Sequence, residues 1–205
     1  HPITISGQVF ETHSALVAFA ILQLQSVGIV DPTIAFLLQV TRQLLTAGIA
    51  PPNLIEASIP HMPSNIRVLL ADCATPRETR SYKECGAAAF IANLSPEEIE
   101  HGIITASAGN HGAGVAKAAA ALHVKVTIVV PTTTPEPKVS NIQKYLDANH
   151  AGGTLVLFGA DYDAAATHAV DLGKQNGFVY VHPYDHPMVW AGQAANLLAL
   201  QPQLD

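Results

Sequence analysis

The sequence predicts an α/β fold: an open parallel sheet with helices on both faces, preceded by an N-terminal helical hairpin. Two observations carry this. From about Ile66 onward, short β-branched apolar runs alternate with longer runs of helical spacing, the pattern of parallel βαβ units with right-handed crossovers. Within that region, Gly102 to Lys117 reads as a strand, a tight turn of small residues and then a helix. Parallel sheets place ligands beyond the carboxyl ends of their strands, which is where this turn falls.

In chain order, residues 1–11 alternate weakly and are expected to be extended. Thr12 to Val30 contains no Asp, Glu, Lys or Arg, and Ala15 to Leu22 is apolar on every side. Gln23, Gln25 and Ser26 interrupt the run before it could cross a bilayer, so a buried helix is expected and a membrane span is not. Asp31-Pro32 supplies an N-cap and a first-turn proline, and Ile34, Leu37, Leu38, Leu44 and Leu45 recur at helical spacing until Gly48 and Pro51. The first fifty residues thus read as an αα-hairpin, either packed on the α/β domain or used for docking. A proline-rich connection, Pro51 to Pro63, follows, and the expected domains are 1–65 and 66–205.

Ile66 to Leu70 reads as a strand. Ser81 is placed to cap a helix through Ala87, Ala88, Phe90 and Ile91, with Lys83 in its first turn, and Ser95-Pro96 restarts a short helix. Ile103, Ile104 and Ala106 form the strand before the turn, and Val115 with the alanines from Ala116 to Ala121 form the helix after it. Strands follow at Val124 to Val130, Thr154 to Phe158 and Phe178 to Val181. Helices follow at Lys138 to Ala148, Tyr162 to Lys174 and Met188 to Leu200. Tyr145 to Gly153 is long for a helix-to-strand connection and is expected to be a surface insertion.

In the turn itself, Ser107, Ala108, Gly109, Asn110, His111 and Gly112 let backbone approach a ligand and aim N–H groups at one point, at the positive end of a helix dipole. Such a turn suits a carboxylate or a phosphate. It is neither a Walker loop, since no Gly-Lys-Ser/Thr follows, nor the dinucleotide fingerprint, whose glycine spacing differs.

Composition narrows the alternatives. The 205 residues are 49% hydrophobic and only 13% charged, with a net charge of −6 and no basic stripe, which argues against nucleic acid. So little charge is expected either to hide surface against a second copy or a complementary domain, or simply to mark a compact alanine-rich enzyme. Cys73 and Cys85 are too few for a disulfide framework and too far apart for a Cys-x-x-Cys site, so a reducing, cytoplasmic setting is expected. The ten histidines are scattered singly, and no metal site is expected from them. The first residue is His1, so a start methionine and any targeting signal are expected to have been removed.

Ser107-Ala-Gly-Asn-His-Gly-Ala-Gly-Val-Ala116 resembles the Ser-Ala-Gly-Asn-His-Ala-Gln-Gly-Val segment of fold-type II pyridoxal-phosphate enzymes, specifically threonine/serine dehydratases and their serine racemase relatives. Arg80 to Ala87 resembles that family's Ser-Phe/Tyr-Lys-x-Arg-Gly-Ala. Val129 to Val139 resembles its strand and Pro-x-x-x-Pro-x-x-Lys-Val turn, and His182 to Gln193 its Pro-Tyr/Phe-Asp-x-Pro…Ala-Gly-Gln segment. The four segments occur in the family's order. The resemblance implies part of the tryptophan synthase β-like fold, with pyridoxal 5'-phosphate as cofactor. It implies that Lys83 forms the Schiff base and acts as base, that Asn110 contacts the cofactor, and that Ser107, Ala108, Gly109, Asn110 and His111 cradle the carboxylate of an amino-acid substrate. The implied activity is a β-elimination, turning a hydroxy amino acid into a 2-oxo acid and ammonia.

Several departures from the family pattern bear on this. Ala108 stands where racemases carry a serine acid/base, which favours elimination over racemisation. Cys85 replaces the family's arginine and is expected to be a buried structural thiol, and Ala71 to Glu78 replaces a Lys-Arg-Glu-Asp stretch. No Gly-Gly-Gly-Gly run occurs in the 205 residues, so the family's phosphate loop and C-terminal part are expected to be lacking. A catalytically inactive remnant acting as a binding module is the alternative, with a racemase or hydroxyaspartate lyase sibling as a further one.

Overall fold

A computed structural model of the chain describes residues 3–5, 8–10, 32–63, 65–200 and 203. The expected helix over Thr12 to Val30, and hence the hairpin as a whole, lies outside the described residues. The chain divides into two compact units, one of His1–Tyr82 with Ala194–Asp205 and one of Lys83–Gln193.

In the first unit, β1 (Ile3–Ile5) and β2 (Gln8–Phe10) pair antiparallel, with Ile3 opposite Phe10. Helix α1 (Pro32–Thr46) follows, burying Leu38, Val40, Thr41 and Leu44. It ends where Gly48 turns left-handed at φ 78°, which lets the Ile49 N–H reach back to Leu44 O at 3.0 Å and satisfy a terminal carbonyl. The stretch read as a proline-rich connection contains a strand, β3 (Asn53–Ala57), antiparallel to β4 (Val68–Asp72) with Ile55 opposite Leu70. Its prolines hid it, yet Pro51 and Pro52 only precede the strand, where a missing N–H costs no ladder bond. Buried Arg77 donates Nε to Ala50 O at 2.9 Å and Nη2 to Asn196 Oδ1 at 2.7 Å.

The second unit holds the expected parallel sheet. Its strands are β5 (Ile103–Ala106), β6 (Val126–Val130), β7 (Gly153–Leu157) and β8 (Val179–Tyr180), in the order β7-β6-β5-β8. All three strand pairs are parallel. Around the sheet lie α2 (Lys83–Ala92), α3 (Pro96–His101), α4 (Asn110–Ala121), α5 (Glu136–Asp147) and α6 (Tyr162–Asn176), while α7 (Pro187–Leu200) carries residues of both units. Alternate residues of a strand face opposite ways. Ile128 therefore meets Gly112 of α4, while Val129 joins Ile104, Ala106 and the α6 residues Ala165 and Ala169 in one buried cluster. With both faces covered, β5 and β6 are buried throughout.

Local signals set several boundaries. Ser95 and Glu98 form a reciprocal capping box on α3, and the Asp161 carboxylate accepts the Ala164 N–H at 2.9 Å on α6. The stretch expected to be a surface insertion is exposed at Asp147, Ala148 and His150 to Gly153, but it is tied down at three residues. Tyr145 and Leu146 close the last turn of α5 and are buried. Buried Asn149 donates Nδ2 to Val124 O at 2.8 Å and accepts the Ala151 N–H at 3.0 Å.

The contact between α2 and α4 fixes where Lys83 stands. A Cβ on Gly114 would lie 3.2 Å from Glu84 Cα, so only the absence of a side chain lets the helices approach so closely. An ion pair spans the same contact, Lys117 Nζ to Glu84 Oε1 at 2.8 Å, with side chains 27% and 2% exposed respectively. Expelling Glu84 from water is costly without its counter-ion, whereas Lys117 can turn toward solvent. In urea unfolding of the chain, Lys117→Met is expected to cost about 3 kcal/mol and Glu84→Gln less than half of that. Equal losses would show that the difference in burial does not govern this pair.

Candidate active site

Lys83 is the first residue of α2, and its Nζ donates to the carbonyl of Pro183 at 3.0 Å, 6.0 Å from the centre of the Tyr184 ring. That carbonyl belongs to the segment leaving β8. The segment is braced from within, because His182 Nδ1 accepts the N–H groups of Tyr184 at 3.3 Å and Asp185 at 2.7 Å. The Trp190 indole N–H also donates to Tyr184 O at 2.7 Å.

The small-residue turn runs from the end of β5 into α4, as its sequence predicts. Asn110 is the first residue of α4 and is exposed, Ala108 and Gly109 are half-buried, and Ser107 and His111 are buried. Of the five N–H groups expected to face a ligand, two are spent inside the protein: Ser107 donates to Val129 O at 3.0 Å and Gly109 to Ser107 Oγ at 3.2 Å. The N–H groups of Asn110, His111 and Gly112 open the helix, where no carbonyl four residues back within α4 can reach them. A Cβ on Gly112 would stand 3.1 Å from Ser107 Cβ and 3.0 Å from Ile142 Cδ1, so its lack of a side chain lets the turn lie flat on the sheet. The stem of Lys138 passes over the turn, with Cδ 3.6 Å from where a Gly109 Cβ would be.

His111 joins the turn to the β8 exit. Its Nε2 lies 3.2 Å from Val181 O, and since a carbonyl only accepts, Nε2 carries the hydrogen and Nδ1 is a bare lone pair. Nδ1 is buried and has no hydrogen-bond partner among the described residues. Burial, opposed by the Val181 hydrogen bond and helped by the charges of Lys83 and His182, holds the imidazole down at about 4. Lys83 and His111 reach the same segment leaving β8, at the carbonyls of Pro183 and Val181, two residues apart.

Sequence reasoning did not single out Thr105, Pro183, Glu84 or Lys117, nor the tyrosines at the sheet's carboxyl edge. There a groove of about 700 Å³ is lined by Tyr162, Asp163, Tyr180, His182 and Tyr184 among others. Burial, with the Tyr180 and Tyr184 phenols beside it, pushes the Tyr162 phenol up to about 12. A run of three tyrosines within two dozen residues was the available signal. Cys85 is a buried thiol outside any disulfide, and the described residues contain no group of three or more His, Cys, Asp or Glu able to hold a metal ion. No helix among them is long and apolar enough to cross a membrane.

His111 gives a pH test. Unfolded, it takes a proton near 6.5; folded, it resists until about 4. Between these values the unfolded state binds more protons, so stability is full above about 6.5 and is lost as pH falls toward 4, by on the order of 3 kcal/mol. His111→Phe should flatten the dependence of the urea midpoint between pH 7 and 4.5. An unchanged slope would assign it to other groups.

Comparison with known proteins agrees with this layout. The biosynthetic L-threonine dehydratase of Escherichia coli strain K12 is 43% identical over 136 residues, which are 66% of this chain and 25% of that protein. The structure of the processed form of threonine deaminase isoform 2 from Solanum lycopersicum matches with a TM-score of 0.60 and 38% identity, covering 67% of this chain and 36% of that one. Maize serine racemase matches with a TM-score of 0.70 over 83% of this chain and 49% of its own, at 22% identity, a likeness of fold alone. The chain spans about a quarter of the length of the bacterial relative. The model of the family described as pyridoxal-phosphate dependent enzyme matches residues 45–201, more than half of the sequence, and the chain belongs to that family.

Proposed function

We propose that this chain carries part of the site of a pyridoxal-phosphate-dependent ammonia-lyase that converts a hydroxy amino acid, threonine or serine, to a 2-oxo acid and ammonia. The observation that carries the reading is Lys83 Nζ, held at 3.0 Å on the Pro183 carbonyl, two residues from the Val181 carbonyl that His111 of the turn holds. The residues present suit the aldehyde and ring end of such a cofactor. They offer a primary amine, the amide of exposed Asn110, and buried His111 Nδ1 without a hydrogen-bond partner among the described residues. Lys83 and Asn110 would hold it. We assign no residue of this chain to its phosphate.

Bound pyridoxal phosphate supplies the electron sink that makes the substrate's α-hydrogen removable. Lys83 Nζ is the group that takes that proton, and the Pro183 carbonyl limits where the amine can point. The N–H groups of Asn110 and His111, at the positive end of α4, orient the substrate carboxylate. His111 stays neutral well below pH 6 and so adds no charge at working pH. Ala108 offers no exchangeable proton on the turn, which favours elimination over racemisation. Association with a second copy or a complementary domain, and a cytoplasmic setting, belong to the same reading. It finds support in the threonine dehydratase relatives of the family.

Two measurements test it. Titration with pyridoxal phosphate should give a visible absorbance band that Lys83→Ala abolishes, and L-threonine should then yield a 2-oxo acid. Asn110→Ala should lower that rate about 10²-fold, the usual cost of one well-placed donor. A wild-type chain that stays colourless at saturating cofactor would favour a binding module without catalysis.

A further inference from the structure

The backbone pairing of β5 with β8 is short, only Ile103 with Val179 and Ile104 with Tyr180. The Val181 N–H extends it by one bond to Ile104 O at 2.8 Å, and there the ladder stops. Beyond that point two side chains take over. Thr105 Oγ1 donates to Val181 O at 2.7 Å and His111 Nε2 donates to the same oxygen at 3.2 Å, one from the strand and one from α4. Both lone pairs of that carbonyl are thereby used.

Thr105 is fully buried in an otherwise apolar strand, and valine would fill the same space, so packing alone does not call for its hydroxyl. Two residues after the clamped carbonyl comes Pro183, whose ring fixes φ and whose carbonyl holds Lys83 Nζ. Little slack remains between clamp and amine, because His182 Nδ1 gathers the next two N–H groups.

We propose that Thr105 and His111 are positioning residues: their shared grip on the Val181 carbonyl sets the Pro183 carbonyl and, through it, the direction of the Lys83 amine. This rests on the role proposed for Lys83 and adds the device that aims it. Neither side chain need touch substrate. Thr105→Val is close to isosteric and removes only the donor, Thr105→Ser restores it, and His111→Phe removes the second donor while keeping a ring.

The test reads two signals on the whole chain. Amide hydrogen exchange at Tyr184 and Asp185, without cofactor, should quicken about fivefold to tenfold in Thr105→Val and His111→Phe, the scale of one lost hydrogen bond, and stay within about twofold in Thr105→Ser. The visible band with pyridoxal phosphate should weaken in the same two variants and recover in Thr105→Ser. Unchanged exchange in both variants overturns the clamp whatever the cofactor does, and faster exchange with an undiminished band overturns the link to Lys83. A wild-type chain with no band, beside quickened exchange in the variants, removes the functional reading and the positioning role with it while leaving a structural clamp.

Discussion

Lys83 and the small-residue turn lie on different helices, and the close approach of α2 to α4 is what puts them in one neighbourhood. Gly114 permits it: with a Cβ 3.2 Å from Glu84 Cα, neither helix could keep its present line without yielding. A carboxylate that is 2% exposed, paired across this contact, makes a poor source of stability, since two well-packed apolar side chains could do as well. It does resist sliding, because a shift of one residue would strand the charge. Glu84 is the neighbour of Lys83 in sequence, so what fixes its register also fixes where the amine emerges.

The same logic recurs at the sheet. Strands β5 and β6 are buried on both faces and leave no freedom at the point where the turn begins. Ser107 is tied to Val129, the β8 exit to Thr105 and His111, and Lys83 to Pro183. The result is a floor tied down by hydrogen bonds at the carboxyl edge of a parallel sheet, where one helix opens and the amine of another reaches the β8 exit. Low charge inside that floor is consistent with an imidazole held neutral by burial.

Much of this layout was legible in the sequence because local signals agreed with the global fold. Ile103 to Ala121 announces strand, turn and helix by composition alone, and Ser95-Pro96 marks a helix start. The motif segments also let Lys83, Asn110 and His111 be named together as candidates. What escaped depends on partners distant in sequence. Strand β3 was masked by flanking prolines, and only its pairing with β4 identifies it. Asn149 looks like a loop residue until its bond to Val124, twenty-five positions away, is seen. A threonine in a strand reads as β-propensity, and nothing nearby announces that its hydroxyl serves a carbonyl seventy-six residues on. The turn also kept a surprise, since two of its N–H groups close on the protein itself.

The central claim, that Lys83 is the amine that takes the cofactor, is tested most directly by reductive trapping. The chain is incubated with pyridoxal phosphate, reduced with borohydride and mapped by peptide mass spectrometry. The account predicts that the pyridoxyl label falls predominantly on Lys83 at low cofactor excess. A label spread over exposed lysines such as Lys125, Lys138 and Lys174 with Lys83 unmodified would contradict it.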